Sequence, residues 1–291
     1  MSENSLALHH VSKSFSGFTL QDISFELPKG YIMGLVGSNG AGKTTIIQLI
    51  MNMMQRDGGS IEILGRGDSA SETQIKQEIG IVYDSNFFVD TWTVAETEKV
   101  LSMFYDEWNH ETFIRLRERF ELPENVKVGK MSRGMQMKLM LVCACSHNAK
   151  LLILDEPTSG LDPATRSELL DILQEYIQDG ERSVLFSTHI TTDLERIADY
   201  ITYLEHGKVV YTGNLEELRA KYRIIKGIPD ELTDRMKQQM LGLRQTELGF
   251  EALIRTEEAK TYRGFVLDAP TVDDIIIHIG REVKQCPEHL K

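Results

Sequence analysis

Long hydrophobic runs are missing from this 291-residue sequence: no uninterrupted apolar stretch approaches the ~20 residues that span a bilayer as a helix. A membrane portion, if the chain works with one, is therefore expected on a separate polypeptide. Cysteine is scarce. Three residues, Cys143, Cys145 and Cys286, do not make a disulfide framework, which fits a reducing compartment. Cys143 and Cys145 stand two apart in a helical stretch, so they point to different faces and read as small buried residues. Positive charge is also in deficit: 32 Lys and Arg stand against 44 Asp and Glu, a net charge of −12, and no basic stripe offsets it. This balance argues against a general affinity for nucleic acid or for an anionic membrane surface. Residues 1–10 lack both a basic start and a long apolar core, so no secretion signal is expected. The length suits one large core plus a smaller appended unit.

What is present is a phosphate-cradling pattern. Gly37-Ser38-Asn39-Gly40-Ala41-Gly42-Lys43-Thr44 fits G-x-x-x-x-G-K-[ST], follows the apolar run at residues 31–36 and opens an amphipathic stretch at residues 45–54. Glycines let successive backbone N–H groups turn inward on phosphate oxygens, and the helix that follows presents its positive end to the anion. Lys43 is placed to hold the terminal phosphates and the Thr44 hydroxyl to meet Mg²⁺, with Thr45 continuing the cradle. A chance Gly-rich turn is the weaker reading, because the full pattern stands between an apolar run and an amphipathic one.

A second constellation lies in the middle of the chain. Leu151-Leu152-Ile153-Leu154 reads as a buried parallel strand, and it ends in Asp155-Glu156. A carboxylate at that strand end can reach Mg²⁺ or its water ligands, and its neighbour can polarise an attacking water. Asp155 is assigned to the metal and Glu156 to the water. A lone Asp-Glu pair would more often be a solvated strand end. Here a phosphate loop precedes it and Pro157-Thr158-Ser159-Gly160-Leu161-Asp162 follows it.

In their order, the motifs of residues 6–213 resemble the ATP-binding cassette (ABC) family, the motor subunits of ABC transporters. Met131-Ser132-Arg133-Gly134-Met135-Gln136 resembles the family signature L-S-G-G-Q, and Ser159-Gly160-Leu161-Asp162 resembles its D-loop. Ser187-Thr188-His189, after the apolar Val184-Leu185-Phe186, looks like the switch histidine that contacts the γ-phosphate. Lys13-Ser14-Phe15 resembles the place where an aromatic ring stacks on adenine, although a core Phe competes with that reading.

The resemblance implies an α/β fold: a P-loop ABC ATPase with a mixed β-sheet core, an antiparallel β subdomain and a helical subdomain, plus a small C-terminal α+β extension. It implies ATP and Mg²⁺ as ligands, with Lys43, Glu156 and His189 carrying hydrolysis. It also implies that two cassettes pair head to tail, as a homodimer or heterodimer. Ser132, Gly134 and Asp162 then serve a nucleotide shared with the partner. A separate transmembrane permease would recruit the pair to the inner face of the cell membrane, most in keeping with the bacterial drug and antibiotic exporters. No nucleic-acid partner is implied.

Three positions depart from the family pattern. Asp84 follows the strand-like Ile79-Gly80-Ile81-Val82-Tyr83, where the family usually has Gln sensing Mg²⁺ and the permease; Asp can approach the metal through water but cannot donate a hydrogen bond. Arg133 replaces a Gly of the signature, and Met135 replaces its Gln. Arg133 either adds positive charge near the partner's phosphates or points to solvent. With Ser132 and Gly134 retained, the signature reads as modified rather than lost. Such changes leave open a regulatory half of a heteromeric pair, and a soluble ABC ATPase outside transport is a further alternative. The latter usually brings a second cassette or a long coiled-coil insertion, and neither is present.

Organisation along the chain follows from composition. Residues 1–215 read as the ATP-binding domain, opening with antiparallel β structure in which residues 20–27 alternate as a half-buried strand ahead of a Pro28-Lys29-Gly30 turn. A helical subdomain is expected at about residues 86–148, with a helix start at Thr93 and Glu96 three residues on. Phe87, Phe88 and Trp92 form an aromatic cluster near Asp84, read either as a permease-docking groove or as the subdomain's own core. Residues 216–291 form the extension, for dimerisation or regulation. A helix at residues 215–222 closes the cassette, strand-like pieces fall at 223–225 and 264–267, and an amphipathic helix is expected at 270–279.

Overall fold

The computed structural model describes residues 4–67 and 71–285. The readings of Cys286 and of residues 1–3 fall outside them. The chain opens with β1 (Asn4–Phe15) and β2 (Phe18–Pro28), then runs through β3 (Ile32–Gly37), α1 (Lys43–Ile50) and β4 (Gly58–Ile63). β4 returns to β1 and completes a three-stranded antiparallel sheet of order β2-β1-β4. The apolar residues of β2 do not alternate strictly: Leu20 and Ile23 are both buried although three apart. A bulge reconciles them. Val11 pairs with Ile23 and Lys13 with Leu20, so β2 spends one extra residue there, and Asp22 takes a left-handed φ of 55°.

The helical subdomain follows α2 (Glu72–Gln77) and β5 (Ile79–Val82) and comprises α3 (Val94–Leu101), α4 (His110–Arg119) and α5 (Arg133–Cys145). Thr93 caps α3 in a reciprocal box, its hydroxyl accepting from Glu96 N–H while the Glu96 carboxylate accepts from Thr93 N–H. All residues from 139 to 145 of α5 are buried. Cys143 and Cys145 do lie on different sides of that helix, and both are enclosed because the helix is surrounded on every side.

β6 (Leu151–Asp155), α6 (Pro163–Tyr176), β7 (Ser183–Thr188), α7 (Thr191–Ile197), β8 (Tyr200–Glu205) and β9 (Lys208–Asn214) complete the main sheet. Its order is β5-β6-β7-β3-β8-β9, parallel except for β9. Every residue of β3, β6 and β7 is buried, as strands covered on both faces require. The carboxyl ends of these three neighbours lie side by side, Val36 opposite Thr188 and Asp155 opposite Ser187. That edge is where ligands of open α/β sheets bind.

The rest of the chain forms α8 (Leu215–Lys221), β10 (Tyr222–Gly227), α9 (Asp234–Gln239), β11 (Leu241–Gln245), β12 (Phe250–Arg255), β13 (Val266–Asp268) and α10 (Val272–Gln285). Four strands make an antiparallel sheet of order β11-β12-β10-β13. The sequence pattern did not disclose β11 and β12; β11 carries Gly242 in a left-handed conformation and ends in the polar Arg244-Gln245. α10 starts two residues later than expected and runs further. The two faces of this sheet have different partners. Ile224 and Leu253 join the core around the main sheet, whereas Ile225, Ala252 and Ile254 face a small core with Phe250 and Tyr262. Val272, Ile275 and Ile279 of α10 also enter the core around the main sheet, so the tail shares buried surface with it. Among the described residues no helix is long and apolar enough to cross a membrane.

Candidate functional site

Between the end of β3 and α1 the chain must turn within five residues, and glycine makes this possible. Gly40 and Gly42 take φ of 81° and 112°, and a Cβ on Gly42 would meet Leu20 Cδ2 at 2.5 Å and Phe18 Cζ at 3.0 Å. Gly42 is the N-cap of α1 and has no side chain with which to cap it. The first N–H groups of α1 have no intrahelical partner and no side-chain cap, which leaves them able to donate to an anion.

Lys43, the first residue of α1, is buried and returns across the loop, donating to Gly37 O at 2.8 Å and Ser38 O at 3.4 Å. Its Nζ also lies 3.2 Å from Glu156 Oε1. The other oxygen of Glu156 meets His189 Nδ1 at 2.6 Å. Glu156 thus bridges the phosphate-loop lysine and the histidine that follows β7. Its own backbone is left-handed, φ 48°, a conformation uncommon for a residue with a side chain. Ser187 stabilises the turn: its Oγ accepts from Glu156 N–H at 2.9 Å and donates to Asp155 Oδ1 at 2.6 Å. Asp155 is 2% exposed and lies beneath the cleft. Burial, with the Asp155 charge nearby, raises the pKa of the Tyr83 phenol.

These groups face a cleft of about 680 Å³ lined by Asn39, Gly40, Gly42, Lys43, Thr44, Thr45, Glu156 and His189, with Phe18, Asp84, Arg133 and Ser159 around them. Phe15 is not among the lining residues. It is 42% exposed and stacks on Phe18, centroids 6.4 Å apart, so the ring against the cleft is Phe18, which sequence reasoning passed over. The bridging role of Ser187 follows from its register opposite Asp155, which the motif around His189 does not reveal.

Ser132, Gly134 and Asp162 do not line this cleft. Ser132 caps α5, accepting from Met135 N–H at 3.2 Å, and Asp162 caps α6 through Ala164 and Thr165 N–H. Backbone N–H donation from Thr165 is the main reason the Asp162 carboxyl is held below its usual pKa. The two caps are neighbours, because Leu161 Cδ2 would lie 3.6 Å from a Cβ on Gly134. They stand together at the rim, on exposed surface.

Two departures from the family pattern meet. Arg133 Nη2 donates to Asp84 Oδ1 at 2.5 Å, and the guanidinium also covers Gly160, whose Cβ position would lie 3.7 Å from Nη1. Arg133, at the start of α5, thus reaches across the cleft wall to Asp84, two residues after β5, while remaining half exposed to solvent. Both side chains are about half exposed, so solvent screens much of the attraction. A double-mutant cycle with Asp84→Asn and Arg133→Gln is expected to give a coupling of about 0.2–1 kcal/mol in chemical unfolding, weakening with salt. Strict additivity would show that the contact is not energetically coupled.

The fold is that of the phosphate-loop ATPases, and comparison with known proteins is specific about which. A family model described as ABC transporter matches residues 20–159. The ABC transporter ATP-binding protein YtrB of Bacillus subtilis (strain 168) is 32% identical over 218 residues, covering 75% of this chain and 74% of that protein. Nod factor export ATP-binding protein I of Rhizobium leguminosarum bv. viciae is 35% identical over 219 residues, covering 73% and 70% respectively. A solved structure described as an ATP binding subunit of an ABC transporter superposes with a TM-score of 0.68 at 28% identity, over 74% of this chain and 91% of that chain. The chain belongs to the ABC transporter family: it is an ATP-binding subunit and an ATPase.

Proposed function

We propose that this subunit works as one half of a cassette pair beneath a separate membrane permease, hydrolysing Mg·ATP to drive export. The observation that carries the reading is Glu156 held between Lys43 and His189 at the mouth of the phosphate loop. Lys43 and the loop amides neutralise charge on the transferring phosphoryl group, Glu156 accepts the proton of the attacking water, and His189 contacts the γ-phosphate.

The donor set suits Mg²⁺. Thr44 offers a hydroxyl and Asp155 a carboxylate, hard oxygen ligands, and Asp84, a third carboxylate, lines the same cleft. Among the described residues no group of three or more His, Cys, Asp and Glu side chains could hold a metal alone. That favours an ion completed by substrate phosphates, which is how Mg²⁺ is usually held. When bound, the ion supplies charge neutralisation between phosphate oxygens.

Phe18, backed by Phe15, offers an aromatic face for adenine. Ser132, Gly134 and Asp162, which stand at the exposed rim, serve the ATP of a second cassette. Phe87, exposed and packed on Tyr83 and Phe88, supports a permease-docking surface beside the cleft, whereas Phe88 is buried in the core. Export is supported by the name of the Nod factor relatives. The location that follows is the inner face of the cell membrane.

Hydrolysis by the isolated protein is expected to rise faster than linearly with protein concentration, because only a pair contains a complete site. Ser132→Arg should abolish it while leaving ATP binding by the monomer intact, since the bulky side chain blocks closure. A rate linear in concentration and indifferent to Ser132→Arg would defeat the paired-site reading. An effect of Ser132→Arg seen only with a second, different cassette would assign this chain to the regulatory half of a heteromer.

A further inference from the structure

One of the elements on which the tail rests, α7, also touches both sides of the catalytic constellation. α7 begins two residues after His189, and its buried Asp193 accepts from Thr158 Oγ1 at 2.6 Å, two residues after Glu156. Arg166 Nε compensates the Asp193 charge at 2.6 Å, and a Cβ on Gly34 of β3 would clash with Leu194 at 2.0 Å. α7 is thus held firmly on its inner side.

α10 covers its outer side. Thr271 and Asp274 cap α10 reciprocally, but the cap leaves Val272 N–H, which the helix cannot satisfy. Glu195 of α7 accepts that N–H at 2.7 Å, bringing a carboxylate to the positive end of α10. Thr191 Oγ1 donates to Asp273 Oδ1 at 3.3 Å, in the first turn of α7. Val272 is fully buried in the cassette core. The cap of one helix is therefore supplied by the other, and the tail cannot leave without exposing an N–H and an apolar face together.

We infer that α10 of the C-terminal extension fixes the switch histidine through α7, with Glu195 and Asp273 as positioning residues for ATP hydrolysis. This rests on the role proposed for His189. Loosening the first turn of α7 frees the Thr188–Thr191 segment and lets the imidazole leave Glu156, which affects the transition state more than ground-state binding. Displacements of about 1 Å at a catalytic group can cost on the order of 10²-fold in rate.

The test uses the full-length chain with Glu195→Ala and Glu195→Gln. Glu195→Ala is expected to lower kcat at least about tenfold with the KM for ATP within about twofold of the parent. Glu195→Gln keeps an acceptor for Val272 N–H and should recover most of the rate. The long-range ¹H–¹⁵N spectrum of the His189 imidazole, assigned with His189→Gln, should move in Glu195→Ala and return in Glu195→Gln. Unchanged kcat and unchanged His189 resonances in Glu195→Ala would overturn the inference, as would equal losses in both variants. A parent that hydrolyses no ATP while its His189 resonances still respond to Glu195→Ala would sink the catalytic reading and leave the positioning role standing.

Discussion

Glu156→Gln is expected to bind ATP as the parent does and to turn it over on the order of 10²-fold or more slowly. The amide keeps the size of the carboxylate and can still orient a water, but it cannot take the proton. Local geometry should survive, because the left-handed turn at residue 156 is held by the backbone N–H to Ser187 Oγ rather than by the side chain. Two contacts change: the His189 contact becomes one to a neutral amide, and the Lys43 ion pair is lost, although Lys43 keeps Gly37 O and Ser38 O as acceptors and an ATP phosphate takes the place of the carboxylate. The variant should accumulate as an ATP-loaded pair, visible as a dimer by size-exclusion chromatography. Steady-state hydrolysis equal to the parent's would remove Glu156 from the chemistry and make Asp84, across the same cleft, the next carboxylate to test.

Lys43→Ala should weaken Mg·ATP binding on the order of 10²-fold or more, measured by calorimetry. The Lys43 side chain is 6% exposed, so its attraction for a polyphosphate is little screened, and its loss leaves Glu156 facing the phosphates without its nearest cation. The same change deprives Gly37 O and Ser38 O of a donor inside the loop. Some stability is lost with them, and a thermal melt run beside the titration separates loss of binding from loss of fold. Equal affinities in a folded variant would refute the phosphate-loop assignment.

The aromatic ring at the cleft shows where reading a chain in one dimension goes astray. Lys13-Ser14-Phe15 directed attention to Phe15, whereas Phe18 reaches the cleft because β1 and β2 fold back on each other, with Phe15 paired to Phe18 at their hairpin. The strand alternation read over residues 20–27 likewise missed a bulge, which depends on how β1 and β2 pair. In the tail, β11 and β12 escaped notice because short strands, even the largely apolar β12, take their identity from the strands they pair with more than from their own composition.

By itself the sequence determined the local machinery: a glycine loop running into a helix, an apolar strand ending in two carboxylates, a capping box at Thr93. Each is encoded within a few residues, since left-handed turns, helix starts and buried strands follow from side-chain sterics and hydrogen bonding close by. Only the tertiary structure decided which of these meet. Ser187 reaches Asp155 from a neighbouring strand, Arg133 meets Asp84 across 49 residues and Glu195 caps Val272 across 77. Such pairs depend on sheet order and helix docking, and their energy comes from burial shared over the whole core; no local pattern announces them.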